Sequence, residues 1–217
     1  MRFLIHLIRP RFILPQLILP QLILFLLVAV CGSAFAQTEP PDVMVRNNFE
    51  EAKSIVRQTT DPKKLRQIAE QKLLPYFDFA QMTRLAVGPG WRRATPDQQK
   101  ELTDSFRSLL INTYTSALNQ AASLLEKTLE IKPPQKIDDK EVMVRTVVRS
   151  PNKPPLPIDY RMLNNGQGWK VYDVIVEGVS LVTTYRSEFS EEVQRGGVAG
   201  LIKALEDKNR ALTASLK

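Results

Sequence analysis

Residues 169–189 read Trp169-Lys-Val-Tyr-Asp-Val-Ile-Val-Glu-Gly-Val-Ser-Leu-Val-Thr-Thr-Tyr-Arg-Ser-Glu-Phe189. The first eight, Trp169 to Val176, are rich in Val, Ile and Tyr and read as a strand. On that strand Tyr172, Val174 and Val176 oppose Trp169, Val171 and Ile175, so neither face is polar. Gly178 ends the strand. Beyond it Val182, Tyr185, Phe189 and Val193 recur at the spacing of one helical face, with Ser180 placed to cap the helix. Asp173 interrupts the apolar strand and is expected to accept hydrogen bonds or to pair with an arginine.

Three more period-two segments precede this stretch: Thr128 to Lys132, Glu141 to Arg149 and Leu156 to Leu163. They are separated by Pro-Pro, Asp-Asp, Pro-rich and Asn-Asn-Gly turns, which predicts four consecutive antiparallel strands in a meander. Val142, Val144, Thr146 and Val148 form one face of the second of these strands. Two-sided apolar strands allow either helices covering both faces or one face lining an apolar cavity, and periodicity does not separate the two.

Helical spacing dominates on both sides of the strands. Pro41 opens a helix with the stripe Val45, Phe49, Ala52 and Val56; Asp61-Pro62 starts a second, burying Leu65, Ile68, Ala69 and Leu73. Asp78 caps a third carrying Phe79, Met82 and Leu85, closed by Gly88-Pro89-Gly90. Thr95-Pro96-Asp97-Gln98 combines an N-cap, a first-turn proline and a capping-box glutamine. The long helix behind it carries Leu102, Phe106, Leu109, Leu110, Thr113, Ala117, Leu118, Ala121 and Leu125 on one stripe. After the strands, Gly196-Gly197 separates the Val182 stripe from a last one, Val198, Leu201, Ile202 and Leu205. Helices, then strands, then helices predict an α+β fold with a layer of helices on the sheet.

The N-terminus has a separate character. Arg2, Arg9 and Arg11 precede the apolar run Leu22 to Val30, which ends in Ala34-Phe35-Ala36. This is the pattern of a cleaved signal peptide over 1–36. The run is far short of the ~20 residues that span a bilayer, and Val30 disfavours lipidation at Cys31. Residues 37–40 read as a linker, 41–208 as one domain and 209–217 as a tail. Of the 217 residues, cleavage would leave 181 and, removing three arginines and no acid, would take the formal charge from +7 to +4.

The only histidine, His6, and the only cysteine, Cys31, lie in that leader. A mature chain lacking both has no disulfide, thiolate nucleophile, Cys/His zinc site or Ser-His-Asp triad. Gly178-Val179-Ser180 opens like a nucleophile elbow, but Val182 stands where the motif needs glycine. Asp138-Asp139 and Glu191-Glu192 are adjacent pairs whose side chains diverge. Trp91-Arg92-Arg93 reads as a packing anchor flanked by surface arginines, and the mild charge of an exported chain argues against nucleic acid. No enzyme site emerges, and no metal site.

Several blocks resemble one family: Pro75-Tyr76-Phe77-Asp78-Phe79, Met82 to Leu85, Trp91-Arg92, the Phe106-x-x-Leu109-Leu110-x-x-x-Tyr114 run, and above all residues 169–189. Together, from about Val45 to Leu205, they resemble the toluene-tolerance family, the periplasmic phospholipid-binding components of Mla lipid transport systems. The resemblance implies a monomeric, cystatin- or NTF2-like carrier with an internal apolar lipid cavity and no cofactor. It implies a shuttle for diacyl phospholipid that maintains outer-membrane lipid asymmetry. Its partners would be an inner-membrane ABC transporter with its MCE-domain ring protein and an outer-membrane lipoprotein-porin complex.

On that basis acyl-tail contacts are expected from Val142, Val144, Ile158, Tyr160, Met162, Tyr172, Val174 and Val176. Leu109, Leu110, Leu181, Val182 and Tyr185 would stand opposite, with Arg145 and Arg186 as weaker head-group candidates. The competing readings are a structural adaptor of an envelope complex and a carboxylate-dependent hydrolase.

Overall fold

In the computed structural model the described residues are 39–115 and 122–215. The expected leader over 1–36 and three members of the long-helix stripe, Ala117, Leu118 and Ala121, lie outside them. Helices α1 (Pro41–Gln58), α2 (Pro62–Lys72), α3 (Phe79–Val87) and α4 (Pro96–Thr115) precede the strands. The starts of the last three are encoded within a few residues of each cap. Asp61 accepts from the Lys63 and Lys64 amides, and Asp78 accepts from the Gln81 amide at 2.8 Å. Thr95 and Gln98 exchange reciprocal bonds of 3.1 and 3.2 Å, the capping box read from the sequence.

The sheet has six strands rather than four: β1 (Thr128–Ile131), β2 (Gln135–Lys136), β3 (Glu141–Arg149), β4 (Leu156–Asn164), β5 (Trp169–Val176) and β6 (Val179–Ser180). The order is β1-β3-β4-β5-β6, with β2 also paired to β3 and every pairing antiparallel. Both additions have local causes. Pro133 and Pro134 have no amide hydrogen to donate, so the edge beside β3 is interrupted and resumes at Gln135. Glu177 and Gly178, at φ of 51° and 84°, reverse the chain so that Val179 and Ser180 pair back onto Val176 and Ile175.

A bulge on β5 corrects the simple alternation. Arg161 pairs with Asp173 and Met162 with Val171, leaving Tyr172 as the extra residue. Val171 therefore joins Val142, Val144 and Met162 in the cluster packed under Met44 and Val45 of α1. Tyr172 instead joins the main core, where its hydroxyl donates to Glu141 at 2.9 Å. A second departure concerns Leu125, which is 38% exposed on a 3-10 turn at 122–126 rather than on a buried helical stripe.

Helix α5 (Leu181–Ser215) is broken at Gly197, whose φ of 66° is non-helical. Its two parts match the two stripes read from the sequence, and the segment expected as a tail is helical as far as Ser215. Asn209 fastens that end to α4, donating to the Ser105 carbonyl at 2.9 Å and accepting from Asn112 at 3.1 Å. Among the described residues no helix is long and apolar enough to cross a membrane.

The corner between β5 and α5 is held by one carboxylate. Asp173, 3% exposed, accepts from the Ser180 hydroxyl at 2.7 Å and the Val182 amide at 3.1 Å. Ser180 in turn accepts from the Thr183 amide at 3.1 Å. Asp173→Ala should therefore cost about 2 to 3 kcal/mol, since it leaves buried donors at a helix N-terminus unmatched. Asp173→Asn, which keeps an acceptor, should recover part of the loss in urea denaturation. An alanine variant as stable as wild type would mean that this carboxylate does not hold the corner.

Candidate functional site

The main core binds α3, α4 and α5 into one layer. Leu102, Phe106 and Leu109 of α4 meet Met82 and Ala86 of α3 and Tyr185, Phe189 and Leu201 of α5. Phe106 sets its edge against Tyr185 at 4.9 Å and Phe189 at 5.0 Å between ring centroids. Close packing stops on the β4–β5 side of this layer. There a cavity of about 690 Å³ remains, within the range of small-molecule sites.

Its sheet wall is Ile158 and Tyr160 of β4, Val174 and Val176 of β5, and Val179. The helix wall is Leu110, Ile111 and Tyr114 of α4 with Leu181, Thr184, Tyr185 and Glu188 of α5. Leu74, Phe77, Phe79 and Met82 close one end. The mouth is marked by exposure: Tyr114 is 53%, Val176 40% and Val179 64% exposed, with Thr184 and Glu188 beside them at the surface. Large apolar side chains left in water around an apolar hollow mark a binding site.

The polar groups are few. Among the described side chains lining the cavity they are the hydroxyls of Tyr114, Tyr160, Thr184 and Tyr185 and the Glu188 carboxylate. Burial, with a smaller contribution from the Asp159 charge, pushes the Tyr160 phenol up to about 12. Burial also raises Tyr185 and Tyr114. All three phenols are neutral hydrogen-bond donors at physiological pH. The linkage has a definite sign: stability drawn from neutral Tyr160 is full below its ordinary value of 10 and is lost as pH rises towards about 12.

Of the residues expected to touch a ligand, Leu110, Ile158, Tyr160, Val174, Val176, Leu181 and Tyr185 line this cavity. Val142, Val144 and Met162 lie instead in the cluster under α1, where Val144 and Met162 are fully buried. Leu109, Tyr172 and Val182 sit in the main core. Neither arginine lines the cavity: Arg145 is an exposed β3 residue paired across the ladder with Asp159, and Arg186 stands against Gly88. The near end of the cavity went unread from the sequence. Its signal was present: Asp78 caps α3, which puts Phe79 and Met82 on one face at i and i+3, while Phe77 pairs with Val171 and stacks on Phe79. Tyr114 likewise lies four residues after Leu110, and Glu188 four after Thr184.

Among the described residues no group of His, Cys, Asp or Glu side chains could hold a metal ion. A sheltered apolar volume with hydroxyls at its edge can enclose hydrocarbon and leave a polar end in water.

The chain is similar to known proteins in fold and in sequence. A protein described as a phospholipid-binding protein from Ralstonia solanacearum, solved in complex with a phospholipid, superposes with a TM-score of 0.71 at 34% identity, over 79% of this chain and 98% of that one. The "Intermembrane phospholipid transport system binding protein MlaC" of Haemophilus influenzae is 23% identical over 84% of this chain and 88% of its own. The "Toluene tolerance protein ttg2D" of Pseudomonas putida is 30% identical over 49% of this chain, and the match spans about half (48%) of that protein's length. The sequence model of the MlaC protein family matches residues 45–207, most of the chain and every described residue that lines the cavity, so this chain belongs to the MlaC family.

Proposed function

We propose that the protein is a periplasmic phospholipid carrier of an Mla pathway, exported by the leader over 1–36, and that its cavity holds the acyl chains of a diacyl phospholipid. The observation that carries this reading is the apolar volume of about 690 Å³ between the β4–β5 wall and the helix layer, with exposed Tyr114, Val176 and Val179 at its mouth. Each methylene withdrawn from water contributes about 0.8 kcal/mol, so the tails bind without any fixed polar partner. At the mouth the Tyr114 hydroxyl offers a donor to the head group, while the Thr184 hydroxyl, which donates to the Ser180 carbonyl at 2.8 Å, offers an acceptor. Support for the cargo comes from the Ralstonia relative, whose structure contains a phospholipid. The reading needs no catalytic group and no cofactor. Delivery to an inner-membrane ABC transporter with its MCE-domain ring protein, and exchange with an outer-membrane lipoprotein-porin complex, are the partners that follow.

Transfer of a fluorescent phospholipid from loaded protein to acceptor vesicles tests this function. The described residues contain no histidine, and the cavity phenols titrate well above neutrality. The rate should therefore change by less than about twofold between pH 5.5 and 8. Failure to load or transfer lipid would leave a structural adaptor as the better reading. A steep step near pH 6 or 7 would contradict this expectation.

A further inference from the structure

Two features stand outside the cavity. One is Arg186, which does not line the cavity. The other is the Trp91-Arg92-Arg93 run, which does not line it either. The fold brings them together at the turn Gly88-Pro89-Gly90. Gly88 has a φ of 60°, and a Cβ added there would stand 3.4 Å from Arg186 Nε and 3.6 Å from Nη2. The Arg186 guanidinium therefore lies over this glycine. Arg92 and Arg93 are exposed on the 3-10 turn Gly88–Arg93 that follows directly. Arg84, also exposed, is one helical turn before Gly88, whose amide donates to the Arg84 carbonyl.

None of these four guanidinium groups has a carboxylate within ion-pair distance among the described residues. Two acids of the adjoining α5 are engaged elsewhere, Glu192 with Arg195 and Glu188 with Lys208. The platform is also stiff. A Cβ at Gly90 would meet Val87 at 3.1 Å and Val193 at 3.3 Å, so the turn is pressed directly onto α5. Gln99 of α4 donates to the Trp91 carbonyl at 3.0 Å and ties the same turn from the other side.

We infer that this arginine platform is a docking surface for an acidic protein partner. Planar guanidinium groups held on a rigid turn favour bidentate pairing with carboxylates. A membrane surface fits the patch less well, because interfacial binding adds inserted apolar or aromatic side chains to the charge. Among the described residues the exposed large apolar side chains are Val43, Tyr76, Tyr114, Leu125, Ile137, Val176 and Val179, none of them in the Gly88–Arg93 turn or next to Arg186 in the chain. The platform also lies apart from the cavity: Arg186 follows Tyr185 directly, yet it points to the Gly88 turn while Tyr185 lines the hollow. The inference does not depend on what fills the cavity.

The test uses the purified protein and two probes: a fluorescein-labelled oligoglutamate peptide followed by anisotropy, and vesicles of phosphatidylcholine containing one-third phosphatidylglycerol. Arg92→Glu/Arg93→Glu should weaken peptide binding at least about tenfold, and Arg186→Gln by less, as expected for losing several surface charge pairs together. Lys63→Glu/Lys64→Glu changes the formal charge equally on exposed positions of α2 and should alter binding by less than about twofold. Melting temperature and bound-lipid content should match wild type in all variants; Arg92→Gln/Arg93→Gln serves where the glutamates disturb the turn. Equal losses in the arginine and lysine pairs, or no peptide binding by wild type, would overturn the inference. So would vesicle binding that depends on Arg92 and Arg93 while peptide binding does not.

Discussion

Val174→Trp is expected to empty the protein of phospholipid while leaving its fold intact. Val174 lies on the cavity wall, opposite Tyr160 in the β4–β5 ladder, so an indole there enters space that the tails would occupy. Displacing even two methylenes forfeits about 1.6 kcal/mol, roughly fifteenfold in affinity. Val174 packs on one side against the cluster under α1 but is only half-buried and borders the hollow, so the ring has open volume to enter and the lipid-free protein should melt close to the wild-type temperature. Val144→Trp is the matched contrast. Val144 has no exposure and is enclosed by Met44, Val45, Val142 and Met162 under α1. Overpacking there should cost about 1 to 3 kcal/mol or more, with the lipid retained by whatever fraction stays folded. If both variants simply lost stability together, the β4–β5 wall would be ordinary core.

Phe106→Ala should produce the largest loss of stability. Phe106 is fully buried at the centre of the helix layer, and its ring holds Tyr185 and Phe189 in edge contacts. Removing such a side chain costs about 3 to 5 kcal/mol. For a domain of this size that corresponds to a fall of roughly 6 to 20 °C in melting temperature, read by calorimetry on lipid-free protein. Because Tyr185 is also a cavity wall, lipid binding should weaken beyond what the unfolded fraction explains. A variant melting within about 2 °C of wild type would show that α4 and α5 are not held together through this ring.

Elements whose causes are local were legible in the sequence. Asp61, Asp78 and the Thr95–Gln98 box each act within three residues, and each cap is where the pattern puts it. The four long strands were legible for the same reason, as runs of β-branched and aromatic residues between turn signals. The bulge was not. Val171 and Tyr172 are both apolar, so a period of two gives no sign of which residue is extra, and the register depends on Arg161 and Met162 one strand away. Face assignments taken from alternation thus held for Ile158, Tyr160, Val174 and Val176 on the cavity wall, but Tyr172 turned into the main core.

Distinguishing a cavity wall from a packed wall was equally beyond the pattern, because both call for the same residues. Val144 and Val174 illustrate the point: similar in type and setting, one is sealed by α1 and the other faces the hollow. What separates them is the placement of α1 over one part of the sheet, a contact between residues roughly a hundred positions apart. The position of Arg186 is non-local in the same way, since it depends on a glycine turn far upstream in the chain.

Native mass spectrometry of the protein purified from cells without added lipid, with the same sample sprayed under denaturing conditions, tests the carrier reading in one experiment. The account predicts wild-type protein with an adduct of phospholipid mass that is released on denaturation and is strongly reduced in Val174→Trp. Bare wild-type protein, or an adduct equally abundant in Val174→Trp, would contradict it.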